Sequence, residues 1–250
     1  MEKKVKVIGV IPARYSSSRF PGKVLASLNG KPMIQWVYEN AAKSEFLDQL
    51  FVAVDDEKVK HAVENFGGKA VMTKINHQSG TDRIAEAVEN IDADIIVNVQ
   101  GDQPLFDATM IDEAVEPMIK DASILMSTIK TKISEEDYDD PAVVKVVTDE
   151  NDYALYFSRS LIPFSRDKKK HDVFEHVGLY AYRKDFLIKV AQMPQSNLEK
   201  IEMLEQLRVM EKGYKIKVIE TKSERSRGVS VDTLEDLEKV EKLINDNNLS

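Results

Sequence analysis

The chain has no cysteine, which excludes disulfides and thiolate metal centres and fits a reducing compartment. Positive charge is also short: 35 Lys and Arg stand against 43 Asp and Glu, a formal net charge of −8. A protein that holds the nucleic-acid backbone normally carries a basic face or tail, so nucleic acid is excluded as the main partner. No uninterrupted apolar run approaches the roughly 20 residues that span a bilayer, so no membrane insertion is expected. The opening MEKKVKVIGVIPAR puts charge before an apolar run, but the run is short and ends in Pro-Ala-Arg, which reads as a strand and not a signal peptide. A cytoplasmic protein is expected. Internal repeats and low-complexity linkers are absent too, so residues 1–250 read as one domain, with any second region inserted into it.

What is present centres on residues 7–31, VIGVIPARYSSSRFPGKVLASLNGK. Val7, Ile8, Val10 and Ile11 suit a strand buried on both faces, which Pro12 is expected to stop. The loop that follows combines consecutive serines, Arg14, Arg19 and Lys23 with Pro21 and Gly22. Hydroxyls, free backbone N–H groups and fixed positive charge at the end of a parallel strand suit a nucleotide triphosphate; an exposed basic loop explains the residue types equally well. The stretch contains neither GxGxxG nor GxxxxGK[ST].

Downstream, a helix from Pro32, a strand over Leu50 to Val54, a helix with Val59, Val63 and Phe66, and a strand over Lys69 to Thr73 alternate as in a parallel sheet covered by helices. In NHQSGTDR, Ser79 and Thr81 are explained by capping of the next helix, whereas Gln78 and Arg83 are not. An apolar strand, Ile95 to Val99, then delivers Gln100-Gly101-Asp102-Gln103-Pro104. Asp102 there is either a turn residue or a hard ligand at the sheet edge.

The acidic run SEEDYDD reads as a solvated loop, and Val143 to Val147 with Tyr153 to Ser158 as an antiparallel addition to the core. Arg159 directly follows that strand and is a candidate for a substrate carboxylate, while Lys168 to Lys170 read as an exposed connection. Within the strand Phe174 to Tyr182, His176, Tyr180 and Tyr182 share one face, where a lone His is ordinarily a core group. Leu198 to Met210 read as one helix, on which Glu202, Glu205 and Gln206 would ordinarily be a solvated face. Val229 to Val231 lead to Asp232, after which Thr233 and Asp236 match a capping box for the last helix.

PARYSSSRFPGKVL, HQSGTDR, NVQGDQP, YFSRSLIPF, HVGLYAYR, EMLEQLR and VDTLEDL occur in an order that resembles the CMP-Kdo synthetases, the 3-deoxy-manno-octulosonate cytidylyltransferases. The resemblance covers nearly the whole chain. It implies an α/β fold with a mostly parallel, Rossmann-like nucleotidyltransferase sheet related to glycosyltransferase type A. It also implies a smaller β-rich part over about residues 130–190 for the sugar site and a homodimer, and a Mg²⁺-dependent reaction of CTP with a 3-deoxy-2-ketosugar acid. Carried onto matching positions, it gives Arg14, Ser17, Arg19 and Lys23 to the triphosphate and Gln78, Ser79 and Arg83 to the cytidine. Asp102 and Asp232 go to Mg²⁺. Gln100, Arg159, His176, Tyr180, Glu205 and Gln206 go to the sugar, with Arg159 facing its carboxylate.

Four places depart from the family pattern: Gln103 replaces Glu in QGDEP, Asn76 precedes HQSGT instead of Asp, Ser18 and Phe20 replace Thr and Leu, and Leu234 replaces Pro. No proposed metal ligand is lost. Gln103 removes a carboxylate near the reacting centre and keeps 8-amino-Kdo open as the sugar. A glycosyltransferase consuming a nucleotide sugar is disfavoured because Asp102 is followed by Gln-Pro and forms no DxD. A nucleotide-binding regulator would require a broken metal or phosphate set.

Overall fold

The computed structural model describes residues 4–16, 20–167, 171–223 and 230–246. Ser17 and Arg19 of the first loop, Lys168 to Lys170 and Val229 lie outside the described residues. The elements run β1 (Val7–Ala13), β2 (Ser27–Leu28), β3 (Lys31–Pro32), α1 (Met33–Ala41), β4 (Gln49–Val54), α2 (Glu57–Asn65), β5 (Ala70–Met72), α3 (Gly80–Ala87), β6 (Ile95–Asn98) and α4 (Thr109–Lys120). They continue with β7 (Met126–Lys132), β8 (Lys145–Thr148), β9 (Ala154–Ser158), β10 (Phe174–Arg183), α5 (Lys184–Ala191), α6 (Asn197–Glu202), α7 (Gln206–Glu211), β11 (Lys217–Glu220) and α8 (Leu234–Asp246).

Among the described residues the main sheet has nine strands, ordered β11-β7-β10-β6-β1-β4-β5, with β8 on β10 and β9 on β8. β6, β1, β4 and β5 are mutually parallel, β10 runs against β6, β7 and β8, and β8 runs against β9. The chain builds outwards from β1 through β4 to β5 and then returns to place β6 on the other flank of β1. A ligand crevice is expected at that reversal, outside the carboxyl ends of β1 and β6.

Two apolar layers hold the sheet. Val7 and Ile11 of β1 pack with α1, α2, α4 and α8 on one face, whereas Ile8 and Val10 pack with α3, α5 and α7 on the other. All four β1 side chains are essentially inaccessible, so each contributes on the order of 1.5–3 kcal/mol. The helix starts follow local chemistry: Asp56 accepts from Lys58 N, Ser79 and Asp82 form a capping box, and Ser196 and Glu199 form another.

Three expectations change. β1 does not stop at Pro12, because Pro12 and Ala13 still pair with Ala53 and Val54. The β6 ladder ends at Val10 with Asn98, so the N–H that proline lacks would have pointed past the last partner. The single helix over 198–210 is two, α6 and α7, broken at Met203, which takes a left-handed conformation with φ 55. The apolar strand before Gln100 carries one buried polar side chain, Asn98. Within residues 130–190, β8 and β9 form the antiparallel extension, while the second half of β10 lies inside the main sheet between β6 and β7.

Candidate active site

A cleft of about 330 Å³ opens where β1 and β6 end, lined by Arg14, Lys23, His77, Gln78, Ser79, Arg83, Gln100, Asp102 and Asp232 among others. Two loops meet tightly there. A Cβ on Gly101 would come 2.7 Å from the carbonyl oxygen of Pro12, so only glycine lets the loop after β6 lie against the end of β1. Val231 N–H then donates to the Asp102 carbonyl at 2.8 Å, which sets Asp232 beside Asp102. The Lys23 ammonium enters between them and donates to Asp102 Oδ2 at 3.0 Å, Asp232 Oδ1 at 3.1 Å and Val231 O at 3.0 Å. Lys23 is thus brought to both carboxylates by a short 3-10 turn, Lys23–Leu25, that follows Gly22 in the left-handed conformation.

The wall over α3 is braced from below. Arg83 is buried and donates to Asp55 Oδ2 at 2.9 Å and Thr73 Oγ1 at 2.6 Å, and Asp55 Oδ1 accepts from Tyr15 N at 2.9 Å. Arg83 therefore borders the cleft but spends its guanidinium on holding the first loop and the start of α3 together. Ser79 caps α3 while lining the cleft, so capping and site placement coexist. Gln78 is exposed at the rim, and its neighbour His77 is bonded to Glu86.

The residues expected around a sugar divide. Gln100 donates to Gly178 O at 2.7 Å and lines the cleft. His176 is buried between Phe157 and Tyr180, with ring centroids 5.0 and 5.2 Å away. Burial pushes its pKa down to about 3, so the ring is neutral. Thr128 has one hydroxyl proton, directed at the carbonyls of Leu179 and Val177 at 2.7 and 3.2 Å. The contact between Thr128 Oγ1 and His176 Nε2 at 3.1 Å therefore assigns the proton to Nε2. Burial, then the charge of Glu205, push the Tyr180 hydroxyl up.

Glu205 is not on a solvated face. Burial raises its carboxyl pKa against the bond that Thr81 Oγ1 donates to it at 2.8 Å. Glu205 Oε1 and Gln206 Nε2 are buried without a hydrogen bond. Glu202, expected on the same solvated face, instead accepts from Ser158 Oγ at 2.7 Å and from Arg159 N at 3.0 Å. The Arg159 guanidinium donates to the carbonyls of Glu202, Pro141 and Met203 at 2.7, 2.8 and 3.4 Å, which ties it to the bend between α6 and α7.

A family model described as cytidylyltransferase matches residues 8–218. Relatives described as 3-deoxy-manno-octulosonate cytidylyltransferase include that of Geotalea daltonii, 52% identical over 248 residues with 94% of this chain and 97% of that protein covered. That of Geobacter metallireducens is 53% identical over 248 residues, with 94% and 96% covered. The chain belongs to the 3-deoxy-manno-octulosonate cytidylyltransferase family. A solved structure of CMP:2-keto-3-deoxy-manno-octonic acid synthetase complexed with CTP superposes on this cytidylyltransferase with a TM-score of 0.93 at 44% identity, covering 97% of this chain and 99% of that one. 4-Diphosphocytidyl-2C-methyl-D-erythritol synthase from Anaerococcus prevotii, at TM-score 0.63 and 13% identity over 96% of this chain and 99% of that one, shares the fold alone.

Reading the sequence of this cytidylyltransferase missed Asp55, Thr81 and Asn98. Asp55 reads locally as a turn residue because its partner Arg83 is distant in sequence, and Thr81 reads as a cap although its hydroxyl goes to Glu205. Asn98 carried a visible signal: a lone amide inside an apolar strand that leads straight into the site.

Proposed function

We propose that the chain transfers the cytidylyl group of CTP to 3-deoxy-manno-octulosonate, releasing pyrophosphate, in a Mg²⁺-dependent reaction. The observation that carries this reading is the meeting of Lys23, Asp102 and Asp232 where the sheet reverses. In-line displacement at the α-phosphorus forms a bond to the sugar's anomeric oxygen and breaks the bond to the pyrophosphate oxygen. Positioning and charge neutralisation account for most of such catalysis, so no enzyme nucleophile is needed. Arg14 and Lys23 bind the triphosphate, and Lys23 opposes charge on the departing phosphates. Gln78 and Ser79 border the nucleoside, and Gln100, Tyr180, Glu205 and Gln206 border the sugar.

The donor set suits Mg²⁺. Two carboxylates bonded to one ammonium can converge equally on one cation, and Mg²⁺ is commonly held by one or two carboxylates with substrate phosphates completing its shell. When bound, it supplies Lewis-acid polarisation of phosphate oxygen. The same reading includes a cytoplasmic homodimer formed through the part over residues 130–190, serving lipopolysaccharide or capsule assembly.

The test is pyrophosphate release with CTP and Mg²⁺, offering 3-deoxy-manno-octulosonate and its 8-amino analogue in parallel, with UTP and no-metal controls. Turnover with the first sugar supports the proposal. Preference for the amino sugar changes the substrate and keeps the chemistry. Folded protein that releases nothing with either sugar overturns the reading.

A further inference from the structure

Asn98 stands at the end of β6, one strand away from the first loop, and is 5% exposed. Its neighbours show which way it faces. Val97 packs with the layer of α1 and α4, whereas Ile96, of the same parity as Asn98, packs with Ile8, Val10 and Tyr182. Asn98 is therefore on the face covered by α3, α5 and α7, and Tyr180 lies directly opposite it in the antiparallel ladder with β10. Side chains opposed in this way are neighbours.

Asn98 Oδ1 is buried without a hydrogen-bond partner, and two further atoms in the same condition belong to Glu205 and Gln206. Glu205 adjoins the group through Tyr180, whose hydroxyl its charge affects, and through Thr81 on α3. Buried polar atoms are nearly always bonded, because each one left alone costs its desolvation. Asn98 Oδ1, opposite Tyr180, and Glu205 Oε1, whose carboxylate acts on the Tyr180 hydroxyl, point to a ligand that completes them.

Their chemistry restricts that ligand. A neutral amide oxygen and a carboxylate oxygen both accept, and Arg208 Nη2, 3.8 Å from Glu205 Oε1, is beyond hydrogen-bond reach. A hydroxyl donates to such atoms, so a polyol satisfies them, while an ionised carboxylate or phosphate has no proton to offer. A phosphate group has cations elsewhere, since Arg14 and Lys23 line the cleft where β1 and β6 end. We infer that Asn98 is a further specificity residue, contacting a hydroxyl of the sugar acid from the floor beneath Tyr180. This rests on the sugar-nucleotide reading proposed above.

Asn98→Leu, nearly isosteric, tests the inference. Removing an unbonded acceptor should leave the melting temperature of the ligand-free protein equal to or above wild type. Losing one hydrogen bond to a buried group should raise KM for 3-deoxy-manno-octulosonate by about 5- to 100-fold. KM for CTP should stay within about twofold, the resolution expected where no contact with the nucleotide is lost.

A sugar KM within that same margin of wild type overturns the inference and leaves Asn98 to a buried water. A lower melting temperature with both KM values raised overturns it in favour of a packing role. If Asn98→Leu does not fold, Asn98→Ser is judged by the same two KM values. Wild type measured beside the variants separates the two layers: absence of wild-type turnover removes the function itself, whereas wild-type turnover with an indifferent variant removes only Asn98.

Discussion

Where β1 and β6 end, polar side chains are already bonded to one another: Lys23 to Asp102 and Asp232, and Arg83 to Asp55. Beside Tyr180, Asn98 Oδ1 and Glu205 Oε1 are buried with no hydrogen bond, the latter 3.8 Å from Arg208 Nη2. The first region is organised before anything arrives, as befits a site that must present fixed charge to a phosphate. The second is completed by what it binds, and so ties its local stability to occupancy.

The largest effect is expected where Lys23 meets Asp102 and Asp232. Asp102→Asn is expected to abolish pyrophosphate release while circular dichroism stays that of the wild type, and normal turnover would remove Asp102 from the chemistry. Asp55→Ala leaves the buried Arg83 charge without its partner and is expected to cost about 3–5 kcal/mol in denaturant unfolding. An unfolding midpoint equal to wild type would mean that the first loop is not braced from below. Lys23→Ala should cost about 2–4 kcal/mol of transition-state stabilisation, read from kcat/KM. Gly101→Ala, whose new methyl meets the Pro12 carbonyl, should destabilise by about 1–3 kcal/mol and lower activity, measured by thermal unfolding and turnover together.

On the other wall the sharpest handle is pH. His176 is neutral in the fold because burial lowers its pKa to about 3, whereas in the unfolded chain it titrates near 6.5. Between these values the unfolded state binds the extra proton, so the contribution is complete above about pH 6.5 and declines as pH falls. From pH 7 to pH 5 the loss should be about 2 kcal/mol. His176→Gln should remove that part of the slope; an unchanged slope would show that the ring is already protonated in the fold.

The parallel half was legible in the sequence because apolar runs, caps and alternating elements are local patterns. The order of β1, α1, β4, α2 and β5 needed nothing more. Lys23, Asp102 and Asp232 were also reachable, since Asp102 and Asp232 follow apolar segments, Lys23 lies in the basic loop and all three match family blocks, yet only the fold brings both carboxylates to the one ammonium. The brace between Asp55 and Arg83 was hidden because Asp55 has an adequate local explanation as a turn residue and Arg83, which has none, is far from it in sequence. The break at Met203 was hidden for another reason: a non-glycine residue in the left-handed region runs against the helical periodicity on both its sides. Arg159 was assigned by its position after a strand, but where its guanidinium goes is decided by the carbonyls of a bend the sequence did not reveal.

Lys23 lying across Asp102 and Asp232 also bears on how fast a nucleotide can arrive. For the proposed reaction a chain of net charge −8 has to admit a polyanion, and two bare carboxylates at the entrance would turn it away over the last Debye length, about 8–10 Å. With the ammonium held against both, and Arg14 at the same wall, the entrance is close to neutral before any ion or nucleotide enters. Encounter with CTP then depends on that local balance and not on the charge of the whole molecule, so its rate should respond to added salt far less than the overall charge would suggest.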